Sequence, residues 1–231
     1  MPRILTPVDV LEFRNRLCEV GATLFAEQGF EGFNMRELAR RLGVSAMTPY
    51  RYFKDKDAIM SEIRTRAFCR FADWLEEQLA TDHADENTLS HAYSRFAIQE
   101  QMQYRLMFDL VQPPSSTLPA LLAQEQRVRE AISAHLRRHL EHAMVSSDPE
   151  LLSSVLWSML HGATALHLAG KLSSQDFNRA LLNAVRLFMD CPAETKEERA
   201  QPANGNHQAT PCAPWWQPIT QAGTPAYEAG I

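Results

Sequence analysis

Basic, hydroxyl and aromatic side chains are concentrated between residues 34 and 56, in a combination suited to binding a polyanion. Guanidinium and ammonium groups pair with phosphates, guanidinium forks also fit guanine, and methyl and hydroxyl groups can meet the edges of bases. The side chains with this chemistry include Arg36, Ala46, Met47, Thr48 and Arg51. Their types and spacing predict contacts with duplex DNA, with Ala46, Met47 and Thr48 directed at base edges.

Two short helices joined by a tight turn are the elements that would position these side chains. The first helix is predicted from Met35 to Leu42, with Asn34 as its N-cap, because an Asn side chain can accept an amide proton of the first turn. Its apolar residues have the i, i+3, i+4, i+7 spacing of one buried stripe, and they are Met35, Leu38, Ala39 and Leu42. Gly43 reverses the chain through a positive φ, and Ser45 caps a second helix that runs to Phe53. This arrangement is a helix-turn-helix, which inserts its second helix into the major groove.

Pro49 falls inside the second helix of this motif. A proline there lacks an amide donor and crowds the carbonyl four residues earlier. Because Pro49 lies in the first turn after Ser45, where amides are unpaired in any helix, we expect a slightly tightened start and an unbroken helix.

These segments resemble the TetR family of transcriptional regulators. The matching residues are Leu24, Phe25, Gly29 and Phe30, then Met35-Arg36-Glu37-Leu38-Ala39, Gly43-Val44-Ser45 and Tyr50-Arg51-Tyr52-Phe53-Lys54-Asp55-Lys56-Asp57. The resemblance implies a helical DNA-binding regulator in which Tyr50, Tyr52 and Lys56 hold phosphates. Arg36 and Arg51 suit either guanine or phosphate.

The charge of the chain is divided unevenly. The whole sequence carries a net −5, whereas residues 1–60 carry +1 and the remainder −6. Between Met35 and Lys56 six basic residues stand against two acidic ones, so the positive field is concentrated at the motif. Within the first helix of the motif, we expect Arg36, Arg40 and Arg41 to face solvent or phosphate.

The periodicity of apolar residues is helical along most of the chain, and strand patterns are absent from the sequence. We predict an all-α fold of about nine helices. The predicted spans are about 6–28, 35–42, 45–53, 55–80, 87–102, 104–111, 118–144, 149–170 and 174–190, with Asp148 and Pro149 opening the eighth.

Three regions follow from this pattern. A DNA-binding domain at 7–60 contains the helix-turn-helix at 34–53, and an effector-binding and dimerisation domain extends over 61–190. Residues 191–231 hold six of the thirteen prolines without periodicity, which predicts a disordered tail. Within this tail, Trp215 and Trp216 either dock on the body or a partner, or make only weak contacts.

Composition indicates a soluble cytoplasmic protein. The sequence has no run of about 18 apolar residues and no apolar N-terminal leader, which argues against a membrane protein or an exported one. Its four cysteines include no CxxC pair, which indicates reduced thiols. No phosphate-binding loop, nucleophile elbow or carboxylate pair is present, so we predict neither an enzyme nor a cofactor.

The helices predicted at 149–170 and 174–190 are rich in apolar residues, and the first is apolar almost all round. Such a helix must be buried on more than one face. Trp157, His161 and Gly162 resemble the Trp-His-Gly arrangement of a TetR subgroup, in which the last two helices pair with those of a second subunit. We therefore predict a homodimer that reads a palindromic operator, burial within one subunit being the alternative. The predicted interface residues are Leu156, Leu160, Ala163 and Leu166.

The middle of the chain has adaptable and aromatic side chains suited to a small apolar or amphipathic effector, although any helical core contains such residues. The predicted pocket residues are Trp74, Phe96, Met102, Tyr104, Met107, Phe108 and Trp157. His135, His139 and His142 have the spacing of a metal site, but Arg137 and Arg138 beside them favour a solvated face, so no metal is predicted. The sequence thus predicts a repressor released by an effector, with a constitutive or activating DNA-binding protein as the alternative.

Overall fold

The computed structural model describes residues 6–81, 83–108, 118–140 and 149–189, and the regular structure in these ranges is helical. Eight α-helices and a short 3-10 turn at Pro49–Arg51 follow one another in these ranges. The helices are α1 (Pro7–Gly32), α2 (Met35–Arg41), α3 (Lys56–Leu79), α4 (Thr88–Gln99), α5 (Gln101–Phe108), α6 (Pro119–Leu140), α7 (Pro149–Leu168) and α8 (Ser174–Met189). The predicted all-α fold is confirmed, and the third predicted helix, at 45–53, is replaced by the 3-10 turn.

Side-chain caps set the ends of the N-terminal helices. The Thr6 hydroxyl accepts the Asp9 amide proton at 3.1 Å, and the Asp9 carboxylate accepts the Thr6 amide proton at 2.8 Å. Asn34 accepts the Glu37 amide proton at 2.8 Å, as predicted. Gly43 has a φ of 67°, the left-handed conformation that the sharp reversal after α2 requires.

The central helix of the fold is α3, which packs against α1, α4, α5 and α6. Buried residues recur every four positions along it, each no more than 3% exposed, and are Ile59, Ile63, Ala67, Phe71 and Leu75. The Asp55 carboxylate caps its first turn by accepting the Ala58 amide proton at 2.8 Å. The domain boundary predicted at residues 60–61 falls inside α3, so one unbroken helix belongs to both predicted domains.

Helices α4, α5 and α6 pack against α3, and α7 and α8 pack against each other and against α4, with α7 also packed on α6. The Ser133 and Ser153 hydroxyls lie 2.6 Å apart and join α6 to α7, and the Ser90 hydroxyl donates to the Leu181 carbonyl between α4 and α8. These buried polar groups are paired, which burial requires if it is not to destabilise the bundle. The predicted tail at 191–231 and the Asp148 cap lie outside the described residues.

One face of α7 belongs to the core of the subunit. Leu156 and Leu160 are wholly buried in the single chain. Placing these two side chains at a subunit interface is therefore wrong, because neither has any surface left for a partner.

Among the described helices, α7 alone is long and apolar enough to cross a membrane by length and composition. Leu156 and Leu160 pack this helix against the rest of the bundle, and 22% of its apolar stretch is buried in the single chain.

His135 corrects a second expectation. Its side chain is 1% exposed, and its ring packs against that of His139 with 4.6 Å between centroids, so the predicted solvated face is wrong. Val128, Ile132 and His135 have i, i+4, i+7 spacing and share the buried stripe of α6. Burial first, and then the neighbouring His139 and Arg138, lower the pKa of His135 to about 4.

Candidate nucleic-acid interface

The segment Ser45–Phe53, here called the recognition turn, replaces the predicted second α-helix of the motif. The Thr48 amide donates to the Ser45 carbonyl at 2.9 Å, the Arg51 amide to the Thr48 carbonyl at 3.1 Å, and the Tyr52 amide to the Pro49 carbonyl at 3.0 Å. These i to i−3 bonds are of the 3-10 type. An unbroken α-helix was expected, and that expectation is wrong.

Pro49 explains the difference. An α-helix would require an amide at position 49 to donate to the Ser45 carbonyl, and proline has none. The Thr48 amide takes that carbonyl instead, which tightens the chain from the first turn onward. The Pro49 side chain is buried, so it also fixes the turn against the head. Phe53 still donates its amide to the Pro49 carbonyl at 3.0 Å, which is the single α-type bond of the segment.

The exposed side chains of the recognition turn are those that were predicted to meet DNA. Met47 is 69% exposed and Tyr50 is 45% exposed, and Ala46 and Arg51 are also exposed. Thr48 is half-buried, with its hydroxyl 3.0 Å from the exposed Ser45 hydroxyl. The predicted cap by the Ser45 side chain is therefore replaced by a hydroxyl pair. The structure thus places a methionine, a phenol, a guanidinium and two hydroxyls on one short exposed segment.

Arg14 of α1 holds the end of the recognition turn. Its Nη1 donates to the Tyr52 carbonyl at 2.6 Å, and its guanidinium carbon lies 4.2 Å from the centre of the Phe53 ring. The same guanidinium is 3.8 Å from the Glu62 carboxylate on α3. The Tyr52 ring packs against Phe13, with 4.8 Å between centroids, and is half-buried. Tyr52 therefore has a packing role in addition to the DNA contact predicted for it.

The arginines of α2 differ in availability. Arg40 donates twice to the Glu37 carboxylate at 2.7 Å, and Arg41 donates to Glu37 at 3.1 Å and to Glu27 at 2.5 Å. Hydrogen bonds from Arg40 and then Arg41 lower the pKa of Glu37 to about 2, so its carboxylate is ionised. Arg40 faces solvent, as expected, while paired with Glu37, whereas Arg41 is half-buried between two carboxylates. Arg36 is exposed and remains suited to a phosphate.

The loop after the recognition turn adds one residue that the sequence reasoning missed. Lys54 is exposed, whereas the predicted Lys56 is half-buried at the first position of α3. Lys54 lies inside the family-like string, but which lysine of this string is exposed depends on the fold around it. Arg14 was missed as well, because nothing in its local sequence shows that it reaches a carbonyl 38 residues later.

The residues predicted for an effector pocket are divided by the structure. Phe96 and Met107 are no more than 1% exposed and line none of the described cavities, so they belong to the packed core. Trp74 also packs there, with its indole N–H donating to the Ala92 carbonyl at 2.9 Å. Met102 is 36% exposed and lines a shallow pocket beside Phe25 and Ala26.

Tyr104, Phe108 and Trp157 do border cavities between α5, α6 and α7. They share these cavities with His161, which the sequence reasoning assigned only to a motif of the dimer helices. The Trp-His-Gly spacing was the signal for this residue. That spacing does not show that α5 packs beside His161, so the cavity could not be predicted from it.

Two family models match the chain. Residues 17–63 match the model described as "Bacterial regulatory proteins, tetR family", and residues 87–188 match "Tetracyclin repressor-like, C-terminal domain". The first match contains the recognition turn and Arg36, and the second contains α4 to α7 and almost all of α8. Together they cover both the helix-turn-helix and the helical body.

Individual proteins agree with these matches. The chain is 32% identical over 77 residues to HTH-type transcriptional regulator SAB2452 of Staphylococcus aureus, a match that spans 33% of this chain and only 42% of that protein. It is 22% identical to HTH-type transcriptional regulator UidR of Escherichia coli K12, over 74% of this chain and 92% of UidR. The fold matches the crystal structure of the TetR family regulator PfmR from Thermus thermophilus, with a TM-score of 0.57 and 24% identity, over 75% of this chain and 97% of PfmR. Proteins of this kind are DNA-binding regulators and not enzymes. The two domain matches and these relatives show that the chain belongs to the TetR family of transcriptional regulators.

Proposed function

We propose that this protein is a cytoplasmic, sequence-specific repressor that is released from its operator when its helical body binds a small molecule. The observation that carries this proposal is the continuity of α3. This helix begins three residues after the recognition turn and runs from Lys56 to Leu79 through the centre of the body. A change in the packing of the body therefore reaches the DNA-binding head through one rigid element.

The recognition turn supplies the base contacts in this proposal. Ala46, Met47 and Thr48 open the turn, and apolar contacts from such side chains distinguish thymine by its methyl group. Tyr50, Arg51 and Lys54 flank them and suit phosphate oxygens, as does Arg36 on α2. Lys56 and Tyr52 are less exposed, and in this proposal they contribute through the tip of the side chain.

A homodimer follows from the outer face of α7. Leu151, Val155 and Leu166 are 60%, 41% and 49% exposed, and Gly162 and Ala165 lie on the same face of the helix. A Cβ at Gly162 would meet nothing within 4 Å in the single chain, so this face is open. A contiguous exposed apolar patch marks an interaction surface. A second copy of α7 and α8 fits it, since TetR-family regulators act as dimers.

Arg64 supports a path from the body to α3. This residue of α3 lies 3.6 Å from the Glu125 carboxylate of α6, with both side chains largely buried, and its Nε lies 3.4 Å from the Met107 carbonyl of α5. A ligand that shifts α5 or α6 therefore shifts α3. Tenfold weaker DNA binding requires only about 1.4 kcal/mol of differential ligand affinity for the two body conformations.

The second candidate is a constitutive or activating regulator. The cavities in the body favour effector response, because a protein that only dimerises needs no cavity beside the helices that support α3. The two candidates differ in one measurable respect, which is whether any small molecule that binds the body changes the affinity for DNA.

Selection of bound duplexes from a random library tests the DNA-binding part of the proposal. We expect enrichment of a two-fold repeat whose half-sites are centred about one DNA turn apart. Arg51→Ala should lower the affinity for the selected duplex, whereas Arg179→Ala, an exposed position on α8, should leave it unchanged. Failure of the wild-type protein to enrich any sequence contradicts the proposal.

A further inference from the structure

A buried polar cluster in the body has no part in DNA binding. The Tyr104 hydroxyl lies 2.7 Å from Nδ1 of His161, and the Tyr93 hydroxyl lies 3.3 Å from the same nitrogen. Tyr93 is wholly buried and Tyr104 is 3% exposed. Polar groups held in this way in a helical core are costly unless they are paired, and here each one is paired with the others.

Two tyrosines orient the ring of His161. Burial first, and then the neighbouring Tyr104, raise the pKa of Tyr93 well above its usual range, so this phenol keeps its proton. Phenol hydroxyls can hydrogen-bond to an imidazole nitrogen, and both Tyr104 and Tyr93 place their hydroxyls at Nδ1 of His161. These contacts hold the His161 ring in one orientation.

Two cavities meet at the contact between Phe108 and His161, whose ring centroids are 4.4 Å apart. One cavity of about 390 Å³ is bordered by Tyr104, Phe108 and His161, and one of about 230 Å³ by Phe108, Trp157 and His161. The larger volume lies within the range of about 300 to 1,000 Å³ that small-molecule sites have, and the smaller one lies below it, so the proposed ligand requires a rotation of Phe108 that joins the two cavities. The aromatic walls suit a planar or alkyl body.

The charged side chains that border these two cavities are arginines. The larger cavity has Arg105 at its edge and the smaller one has Arg129, whereas Glu130 and Glu150 border an adjoining cavity that shares Arg129 and Trp157. The Arg129 guanidinium carbon lies 5.2 Å from the centre of the Trp157 ring. An arginine placed over an aromatic wall is pre-oriented to pair with an anionic group.

We propose that the paired cavities bind an amphipathic carboxylate, whose anionic group pairs with Arg129 while its apolar body lies against Phe108 and Trp157. The His161 ring, held by the Tyr104 hydroxyl 2.7 Å from its Nδ1, forms a wall common to both cavities. This inference rests on the proposed function, since it names the class of effector for that regulator. It differs from the sequence prediction of an apolar or amphipathic effector by requiring a negative charge.

The same aromatic residue connects the cavities to α3. The Phe108 ring packs edge-on against Phe68 of α3, with 5.7 Å between centroids, and stands in the boundary between the two cavities. A ligand body that displaces Phe108 therefore changes the packing of α3 directly. This contact accounts for how occupancy of the cavities alters the position of the head.

Matched pairs of acids and amides test the inference on the full-length protein. Octanoate and phenylbutyrate are titrated by calorimetry beside octanamide and phenylbutyramide, which have the same apolar bodies without the charge. We expect at least one acid to bind about tenfold or more tightly than its amide, and Arg129→Gln to abolish that difference. Arg129→Lys should retain most of it because it keeps the charge, and Arg179→Gln should have no effect.

The possible outcomes distinguish a failure of the proposed carboxylate site from a failure of the proposed regulatory function. Equal binding of acids and amides, unchanged acid binding by Arg129→Gln, or no binding by a protein that still selects its operator each overturns the inference and leaves the regulator in place. A protein that binds the acid through Arg129 but selects no DNA sequence overturns the proposed function and leaves the site in place. Tyr104→Phe adds an independent readout, since loss of its hydroxyl should weaken acid binding without changing operator affinity measured without ligand.

Discussion

The Arg14 guanidinium and the Tyr52 main-chain carbonyl are joined by a 2.6 Å hydrogen bond that connects the first helix of the head to the end of the recognition turn. The same guanidinium covers the Phe53 ring and approaches Glu62 of α3. A short 3-10 turn has few hydrogen bonds of its own to keep its shape. The contacts of Arg14 therefore hold the recognition turn in place, as the internal hydrogen bonds of a longer α-helix would do.

Arg14→Gln should weaken operator binding by about tenfold or more, because the loss of a charged hydrogen bond releases the end of the recognition turn. The melting temperature should fall by only a few °C, since Arg14 is half-exposed. Fluorescence anisotropy with labelled operator and a thermal melt would measure both. The control is Arg16→Gln, an exposed position on the same helix, and equal DNA binding by Arg14→Gln and Arg16→Gln would show that Arg14 does not position the turn.

Tyr50→Ala and Lys56→Ala should weaken DNA binding across all sequences, because phosphate contacts carry no sequence information. Lys56→Ala should also reduce the slope of log K against log salt by about one unit. Titrations at several salt concentrations give both quantities, with Lys171→Ala on the exposed surface of the body as the control. A variant at position 50 or 56 that binds operator normally would show that the recognition turn meets DNA in another register.

The starts of α1, α2 and α3 were predictable because local side chains determine them, whereas the predicted bounds of α5, 104–111, are three residues later than the observed Gln101–Phe108. Thr6, Asn34 and Asp55 each cap the helix that follows, and Gly43 adopts the positive φ that its position after α2 required. Those signals lie within a few residues of the structure they specify. Pro49 was also recognised, but its effect was underestimated, since one missing amide was enough to change the whole recognition turn to the 3-10 pattern.

Contacts between distant helices were not predictable in the same way. Leu156, Leu160 and Leu166 are one residue type on one helix, yet the first two are wholly buried and the third is 49% exposed. Periodicity shows that α7 has more than one apolar face and does not show which neighbour covers which face. The contacts of His161 were unpredictable for the same reason, because only the packing of α5 against α7 brings the Tyr104 hydroxyl within 2.7 Å of Nδ1 of His161.

Leu166→Arg should convert the dimer to a folded monomer, because it places a charge on the exposed apolar face of α7. Leu160→Arg should instead unfold the chain, since an unpaired charge in the core costs several kcal/mol. Analytical ultracentrifugation and circular dichroism distinguish these results. If the Leu166→Arg protein still sediments as a dimer, the dimer interface does not include the exposed face of α7.

The burial of His135 predicts a loss of stability in mild acid. Its pKa is lowered from 6.5 to about 4, so the folded state binds fewer protons than the unfolded state between these values. The contribution of the neutral ring to stability is therefore fully present above about pH 6.5 and is lost as pH falls towards 4. His139 and Arg138 face His135 and oppose its protonation, whereas the main chain of Glu86 and then the Asp85 carboxylate favour it more weakly.

Melting temperatures between about pH 7 and pH 4.5 test this prediction with two variants. His135→Leu removes the titrating ring from the buried stripe of α6, so its melting temperature should depend less on pH than that of the wild type. His91→Leu is the control, since His91 is exposed on α4 and the substitution should leave the wild-type slope intact. Should His135→Leu and His91→Leu lose stability in parallel as the pH falls, the acid sensitivity would come from other groups and His135 would not be its source.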